Sequence, residues 1–143
     1  MTTTITLPWA PSANTYYRYV GHSPLISRAG RTFRAKVCAL MAARNGNGPR
    51  KPPMGGRIAL CMDAFPPDRR KRRDIDNLQK PTLDALQHAG AYEDDCLVDL
   101  LITRRREVVC IDWLGKYYPD RHVPRSACIG CPYHRQMKLA VQF

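Results

Sequence analysis

Negative charge is scarce in this chain: 12 Asp and Glu stand against 23 Lys and Arg, leaving 143 residues with a net charge of +11. That deficit points toward a nucleic acid or another polyanionic surface as partner, because most of the positive charge sits in runs rather than scattered. A basic but inert solvated surface is the competing reading. Long apolar runs are also missing. None approaches the roughly 18–20 residues of a membrane span, so no membrane partner is expected. The opening residues, Met1 to Leu7, have neither a basic n-region nor an apolar h-region. A signal peptide is therefore not expected, and a cytoplasmic chain is. There the six cysteines would be mostly reduced, and Cys38, Cys61, Cys96 and Cys110, each alone in an apolar segment, read as small core residues. No internal repeat is present. The length then suits one domain with a hydrophobic core, and the apolar share of 44% is ordinary for one.

Periodicity predicts a mixed α/β chain. Thr4 to Trp9 alternates like a short strand, and Arg57 to Phe65 like a strand covered on both sides. A helix capped by Ser27 runs to about Arg44, with Phe33, Val37, Leu40, Met41 and Arg44 on its buried stripe. Gly30 weakens its first turn. A second helix starts near Asp76 or Asn77, buries Leu78, Thr82, Ala85, Leu86 and Ala89, and stops at Gly90. Pro81 is tolerable only within about its first turn, where amide donors are unpaired anyway. Cys96 to Ile102 and Glu107 to Trp113 read as two more strands, joined by a turn at Thr103 to Arg106. Tyr16-Tyr17-Arg18-Tyr19 can stack on bases or grip phosphates, although aromatic packing beneath a loop is the commoner use.

The chemistry concentrates in one place. Arg69, Arg70, Lys71, Arg72 and Arg73 run straight into Asp74 and Asp76, and Glu93-Asp94-Asp95 follows the second helix. Cations hold phosphates, whereas carboxylates repel them unless a divalent metal intervenes. In an extended segment Asp74 and Asp76 face the same way, and two like charges that close call for a bridging cation. Mg²⁺ suits them, with Asp94 and Asp95 completing the shell. Lys80 lies four residues beyond Asp76, one helical turn along, where its ammonium can stabilise charge on a phosphorane or a leaving oxygen. The alternative is structural: Asp74 and Asp76 cap the helix and pair with nearby arginines. The basic run alone also reads as a solvated face.

The stretch Arg72 to Lys80, then Leu83-Asp84-Ala85-Leu86, Ala89-Gly90 and Glu93-Asp94-Asp95, closely resembles the RusA family of Holliday junction resolvases. Ile5 to Trp9, with Pro11-Ser12, Asn14 and Tyr16-Tyr17-Arg18, resembles that family's opening, so the likeness spans roughly residues 4–112. The resemblance implies a small mixed sheet with two main helices packed on it, and a homodimer that binds four-way junction DNA in a bacterial or phage-infected cell. It implies paired, symmetrical nicks made by Mg²⁺-dependent hydrolysis, with Mn²⁺ as a substitute, in recombination and repair. Carried across by position, Asp74, Asp76 and Asp95 are the catalytic, metal-holding aspartates. Lys80 is the essential cation, Asp94 an extra ligand, and Arg69 to Arg73 with Lys71 the phosphate contacts. A non-catalytic DNA-binding protein and a nuclease for flaps or forks are the alternatives.

That likeness covers an endonuclease domain of residues 1–113. Residues 114–143 read instead as an irregular extension packed on it, with Pro119, Pro124 and Pro132 and little periodicity. His122, Cys128, Cys131 and His134 within it make an H-x5-C-x2-C-x2-H pattern that could hold a tetrahedral Zn²⁺. The spacing matches no standard finger, and the preferred reading is reduced cysteines and surface histidines.

Overall fold

A computed structural model describes residues 4–46, 55–66, 74–106, 110–111, 117–118 and 139–142. Strand β1 (Thr4–Leu7) buries Ile5 and Leu7 and leaves Thr4 and Thr6 exposed, as its alternation requires. A one-turn helix α1 (Ala13–Tyr16) leads into a hairpin of β2 (Tyr17–Val20) and β3 (Ser23–Ile26). Its turn holds Gly21 at φ +60°, a backbone that side chains rarely adopt. Helix α2 (Arg28–Asn45) starts where Ser27 was expected to cap it: the Ser27 hydroxyl accepts from the Gly30 amide at 3.1 Å. The buried stripe is Gly30, Phe33, Val37 and Met41. Leu40 and Arg44 were expected on it but are exposed; Leu40 lies about 60° round the helix from Val37 and about 100° from Met41, at the edge of the stripe.

Strand β4 (Ile58–Ala64) alternates cleanly, with Ile58, Leu60, Met62 and Ala64 buried. Its other face is open, contrary to the expectation of cover on both sides: Ala59 is exposed, and Cys61 and Asp63 are half-buried. The helix that follows begins not at a side-chain cap but as a 3-10 turn, Asp76–Leu78, which continues into α3 (Gln79–His88). Pro81 has no amide to give the carbonyl four residues back, so a tighter opening turn fits better there than an α-helical one. Pro81, Thr82, Ala85 and Leu86 are buried, and the Thr82 hydroxyl donates to the Leu78 carbonyl at 2.7 Å. Gly90, at φ +75°, ends the helix as expected, and the Ala91 amide returns to the Leu86 carbonyl at 3.0 Å.

A second 3-10 turn, Asp95–Leu97, precedes β5 (Val98–Arg105), which lies parallel to β4. The expected turn at Thr103 to Arg106 is absent. Pairing of Met62, Asp63 and Ala64 with Thr103, Arg104 and Arg105 carries the strand through, and the Arg106 amide still bonds the Ala64 carbonyl. Short strands β6 (Cys110–Ile111) and β7 (Tyr117–Tyr118) pair with each other, while β8 (Leu139–Gln142) lies antiparallel between β1 and β4. The main sheet therefore runs β1-β8-β4-β5, with one of its two inner strands drawn from residues 139–142. The fold is the expected mixed α/β arrangement, a small mixed sheet with α2 and α3 as its main helices. Their shared core includes Leu7, Tyr16, Val37, Leu60, Met62, Leu86 and Tyr92. Cys38 and Cys61 are only half-buried and Cys96 is exposed, so these three are not core residues, and all three are free thiols. No helix among the described residues is long and apolar enough to cross a membrane.

Candidate active site

The second acidic knot reaches α3 because Gly90 reverses the chain and Tyr92 locks it there. Tyr92 is 1% exposed and its hydroxyl donates to the Leu83 carbonyl at 2.8 Å. Burial is the main reason its phenol is held protonated well above the usual range, with the carboxylates of Asp95 and Asp84 adding to the effect. This anchoring sets Asp95 against the N-terminal end of α3. The Lys80 ammonium then stands between two carboxylates, 2.8 Å from Asp84 and 2.9 Å from Asp95. The hydrogen bonds to Asp84 and Asp95, in that order, raise its pKa, so Lys80 is a full cation at any ordinary pH.

Lys80 and Asp95, expected to share a site, are thus in direct contact. Asp84, in the sequence reading only one residue of the family-like Leu83–Leu86 stretch, also contacts Lys80, a role the sequence reading does not assign it. The signal was available, because positions four apart on a helix meet. Tyr17 was missed as well: its hydroxyl donates a hydrogen bond to the other Asp84 oxygen across 67 residues of sequence. No local pattern announces such a contact. Tyr17 packs edge-on to Tyr16, with ring centroids 4.8 Å apart. Burial, and then the bond to Asp84, push its phenol pKa up. Of the aromatic cluster, Tyr16 is core, Tyr17 half-buried and Tyr19 exposed on the hairpin.

Asp74 and Asp76 stand exposed at the start of the same helical stretch, Asp76 four residues before Lys80. They are not on an extended segment as expected, because Ile75 between them is helical (φ −75°, ψ −26°). Nor does either cap the helix. Asp94 does cap: its side chain accepts from the Cys96 amide at 3.0 Å and opens the second 3-10 turn. That bond to the Cys96 backbone is the leading cause of its lowered pKa. His88 ends α3, exposed. Arg69, Arg70, Lys71, Arg72 and Arg73 lie outside the described residues, as do His122, Cys128, Cys131 and His134.

Among the described residues, no three His, Cys, Asp or Glu side chains are grouped to hold a metal ion. The donor chemistry still fits a hard divalent cation. Asp74 and Asp76 offer carboxylates that no side chain among the described residues engages, and Mg²⁺ needs only one or two when waters and substrate phosphates supply the rest.

A strongly basic mixed α/β domain that gathers a carboxylate-pinned lysine and several aspartates around the first turns of one helix has the makings of a phosphodiester-cleaving nuclease. A passive DNA binder gains nothing from carboxylates facing phosphates. Residues 8–121 match the family described as Endodeoxyribonuclease RusA, and the chain belongs to that family. It is 43% identical over 94 residues to the crossover junction endodeoxyribonuclease RusA of Enterobacteria phage 82, covering 66% of this chain and 74% of the relative. The protein of that name from Escherichia coli K12 is 40% identical over 98 residues, covering 68% of this chain and 77% of its own length. That of Shigella sonnei is 41% identical over the same span.

Proposed function

We propose that the protein is a divalent-metal-dependent endonuclease that resolves four-way DNA junctions by paired, symmetrical nicks, as a homodimer in the cytoplasm of a bacterium or phage-infected cell. Its place is in recombination and repair. The observation that carries the reading is the Lys80 ammonium pinned between Asp84 and Asp95 at the helix end that also bears Asp76. The names of the relatives supply the substrate. The two-fold symmetry of a dimer suits two cuts at related positions on a four-way junction.

Asp74, Asp76 and Asp95 would hold the metal, with Asp94 beside them, and Mg²⁺ or Mn²⁺ fits their oxygen donors. When bound, such an ion supplies positive charge to the phosphodiester and eases deprotonation of the attacking water. Lys80 places a permanent cation where negative charge grows on the phosphoryl or leaving oxygen. Arg69 to Arg73, Lys71 among them, neutralise the flanking phosphates and set the strand's position. The endonuclease unit is read as residues 1–113 together with β8 (Leu139–Gln142), which completes its main sheet between β1 and β4, and zinc at the His and Cys residues of 114–143 is the less favoured reading.

The test is cleavage of a synthetic four-way junction, a fork and a linear duplex at equal salt, with Mg²⁺ or Mn²⁺. The junction should yield nicked duplexes, and Asp76→Asn should bind it without cutting. An intact junction across the whole metal range would sink the reading. Preferential cutting of the fork would assign the same chemistry to another branched DNA.

A further inference from the structure

We infer that Asp84 and Tyr17 are positioning residues for strand cleavage: Asp84 is the fixed counter-ion that holds the Lys80 ammonium in place, and Tyr17 holds Asp84. The inference rests on the reading of Lys80 as the cation that meets the reacting phosphate. The two carboxylates on Lys80 are not equivalent. Asp95 is about a third exposed and is one of the aspartates assigned to the metal. The Asp84 side chain is 13% exposed, and both its oxygens are engaged, one by Lys80 and one by the Tyr17 hydroxyl. Once Asp95 turns to a cation, a lysine side chain that is more than half exposed has only Asp84 to keep it from wandering. A long side chain left free would spread its charge over many rotamers, whereas one salt bridge on a braced carboxylate keeps it near one point. Stability alone does not explain the arrangement, because an ion pair with so exposed a partner contributes little.

Tyr17 braces Asp84 from the opposite side. It starts β2 directly after α1, packs on the buried Tyr16, and lies far from α3 in sequence. Its hydroxyl bonds the carboxylate without touching the lysine, so it acts through Asp84 and not on the substrate. The hairpin base and the cleavage site are therefore joined by one chain of contacts, Tyr17 to Asp84 to Lys80.

The test uses full-length Asp84→Asn, Tyr17→Phe and the double variant. Single-turnover junction cleavage in Mg²⁺ should fall about 10- to 100-fold for Asp84→Asn, the scale of one charge-assisted hydrogen bond, and about 3- to 10-fold for Tyr17→Phe. Junction affinity without metal and melting temperature should hardly move, and the double variant should be no slower than Asp84→Asn, since Tyr17 works through it. A second readout needs no DNA. In saturating Mg²⁺, where Asp95 is drawn to the cation, the Lys80 ammonium should give a slowly exchanging ¹⁵N signal in the wild type, absent from Lys80→Met, lost in Asp84→Asn and weakened in Tyr17→Phe. Should Asp84→Asn misfold, the Tyr17→Phe rate and signal decide. Wild-type cleavage by Asp84→Asn, losses that merely track binding or melting, additive losses in the double variant, or a persisting ammonium signal each overturns the inference. A wild type that cuts no junction refutes the junction reading instead, and the ammonium signal then decides the positioning by itself.

Discussion

Replacing Gly30 with Ala should destabilise the protein, although Ala is the better helix former. A β-carbon at Gly30 would sit 2.7 Å from the Tyr16 carbonyl oxygen, 2.7 Å from the Ile26 side chain and 3.1 Å from the Tyr16 ring. An ordinary carbon–oxygen contact is about 3.4 Å, so backbone must retreat by about 0.7 Å. The Ile26 methyl can swing aside more cheaply than the carbonyl, which also accepts the Ser27 amide at 2.8 Å. Overpacking of this kind costs about 1–3 kcal/mol, against which the helix gains up to about 1 kcal/mol from losing glycine. The net expectation is a loss of about 1–2 kcal/mol, or a melting temperature lower by roughly 3–8 °C. Moving the Tyr16 carbonyl also moves Tyr17, the next residue, and with it the brace on Asp84. Junction cleavage measured well below the melting temperature should therefore fall as well. Thermal and urea unfolding of Gly30→Ala followed by circular dichroism measures the first effect. A variant as stable as the wild type, or more so, refutes the close approach of α2 to the Tyr16 backbone.

Other outcomes follow from the same contacts. Asp63 accepts from Arg104 at 2.8 Å and from Arg106 at 3.1 Å, and the Arg106 hydrogen bond is the leading reason its carboxyl lies below the usual range. A depressed folded pKa contributes stability above the unfolded value near pH 4 that is lost as pH falls through the folded one. Asp63→Asn should thus cost up to about 1 kcal/mol near pH 7, with half-exposed arginines limiting the gain, and the difference from wild type should vanish toward about pH 2 in urea titrations. Tyr92→Phe removes one buried hydrogen bond to the Leu83 carbonyl and should cost about 1 kcal/mol by the same measurement. Junction affinity should fall steeply with salt, and each Arg of the run changed to Gln should flatten the log–log slope by about one. Metal analysis of the purified protein should find zinc well below one per chain. Stoichiometric zinc would overturn the preferred reading of His122, Cys128, Cys131 and His134.

The parts legible in the sequence were those set by short-range rules. Ser27 capping α2, the alternation of β4 and the Gly90 stop each depend on residues a few positions apart, and each is present. Lys80 meeting the second acidic knot was legible too, because the helix between them is short and a glycine ends it. Strand β8 was not, since four residues near the chain's end enter the sheet only by pairing with β1 and β4. The continuation of β5 through Arg104 and Arg105 was hidden for a related reason: a run of arginines reads as a turn until Asp63 on the neighbouring strand is there to receive one. Asp74 and Asp76 show the limit of period-two reasoning. It assumes extended backbone, and Ile75 is helical.

What these elements assemble is an electrostatic problem whose solution depends on the substrate. Asp76, Asp84 and Asp95 surround or precede one ammonium at the head of α3, in a chain whose excess charge is positive. Left alone, the Lys80 ammonium is shared by Asp84 and Asp95, and the three together keep a net charge of −1. A phosphate arriving beside Asp74 and Asp76 meets repulsion that at effective dielectric 20 is worth about 2–4 kcal/mol per close carboxylate. As proposed, the arginine run would offset part of this at the flanking phosphates. On the proposed reading, a divalent ion at those carboxylates would bring positive charge to the scissile phosphate beyond what Lys80, shared with Asp84, supplies. The arrangement therefore separates two tasks that a simple basic patch would merge. On the proposed reading affinity comes from cations outside the acidic cluster and cleavage from inside it, so substitutions at Asp74 or Asp76 should leave binding intact or even tighten it.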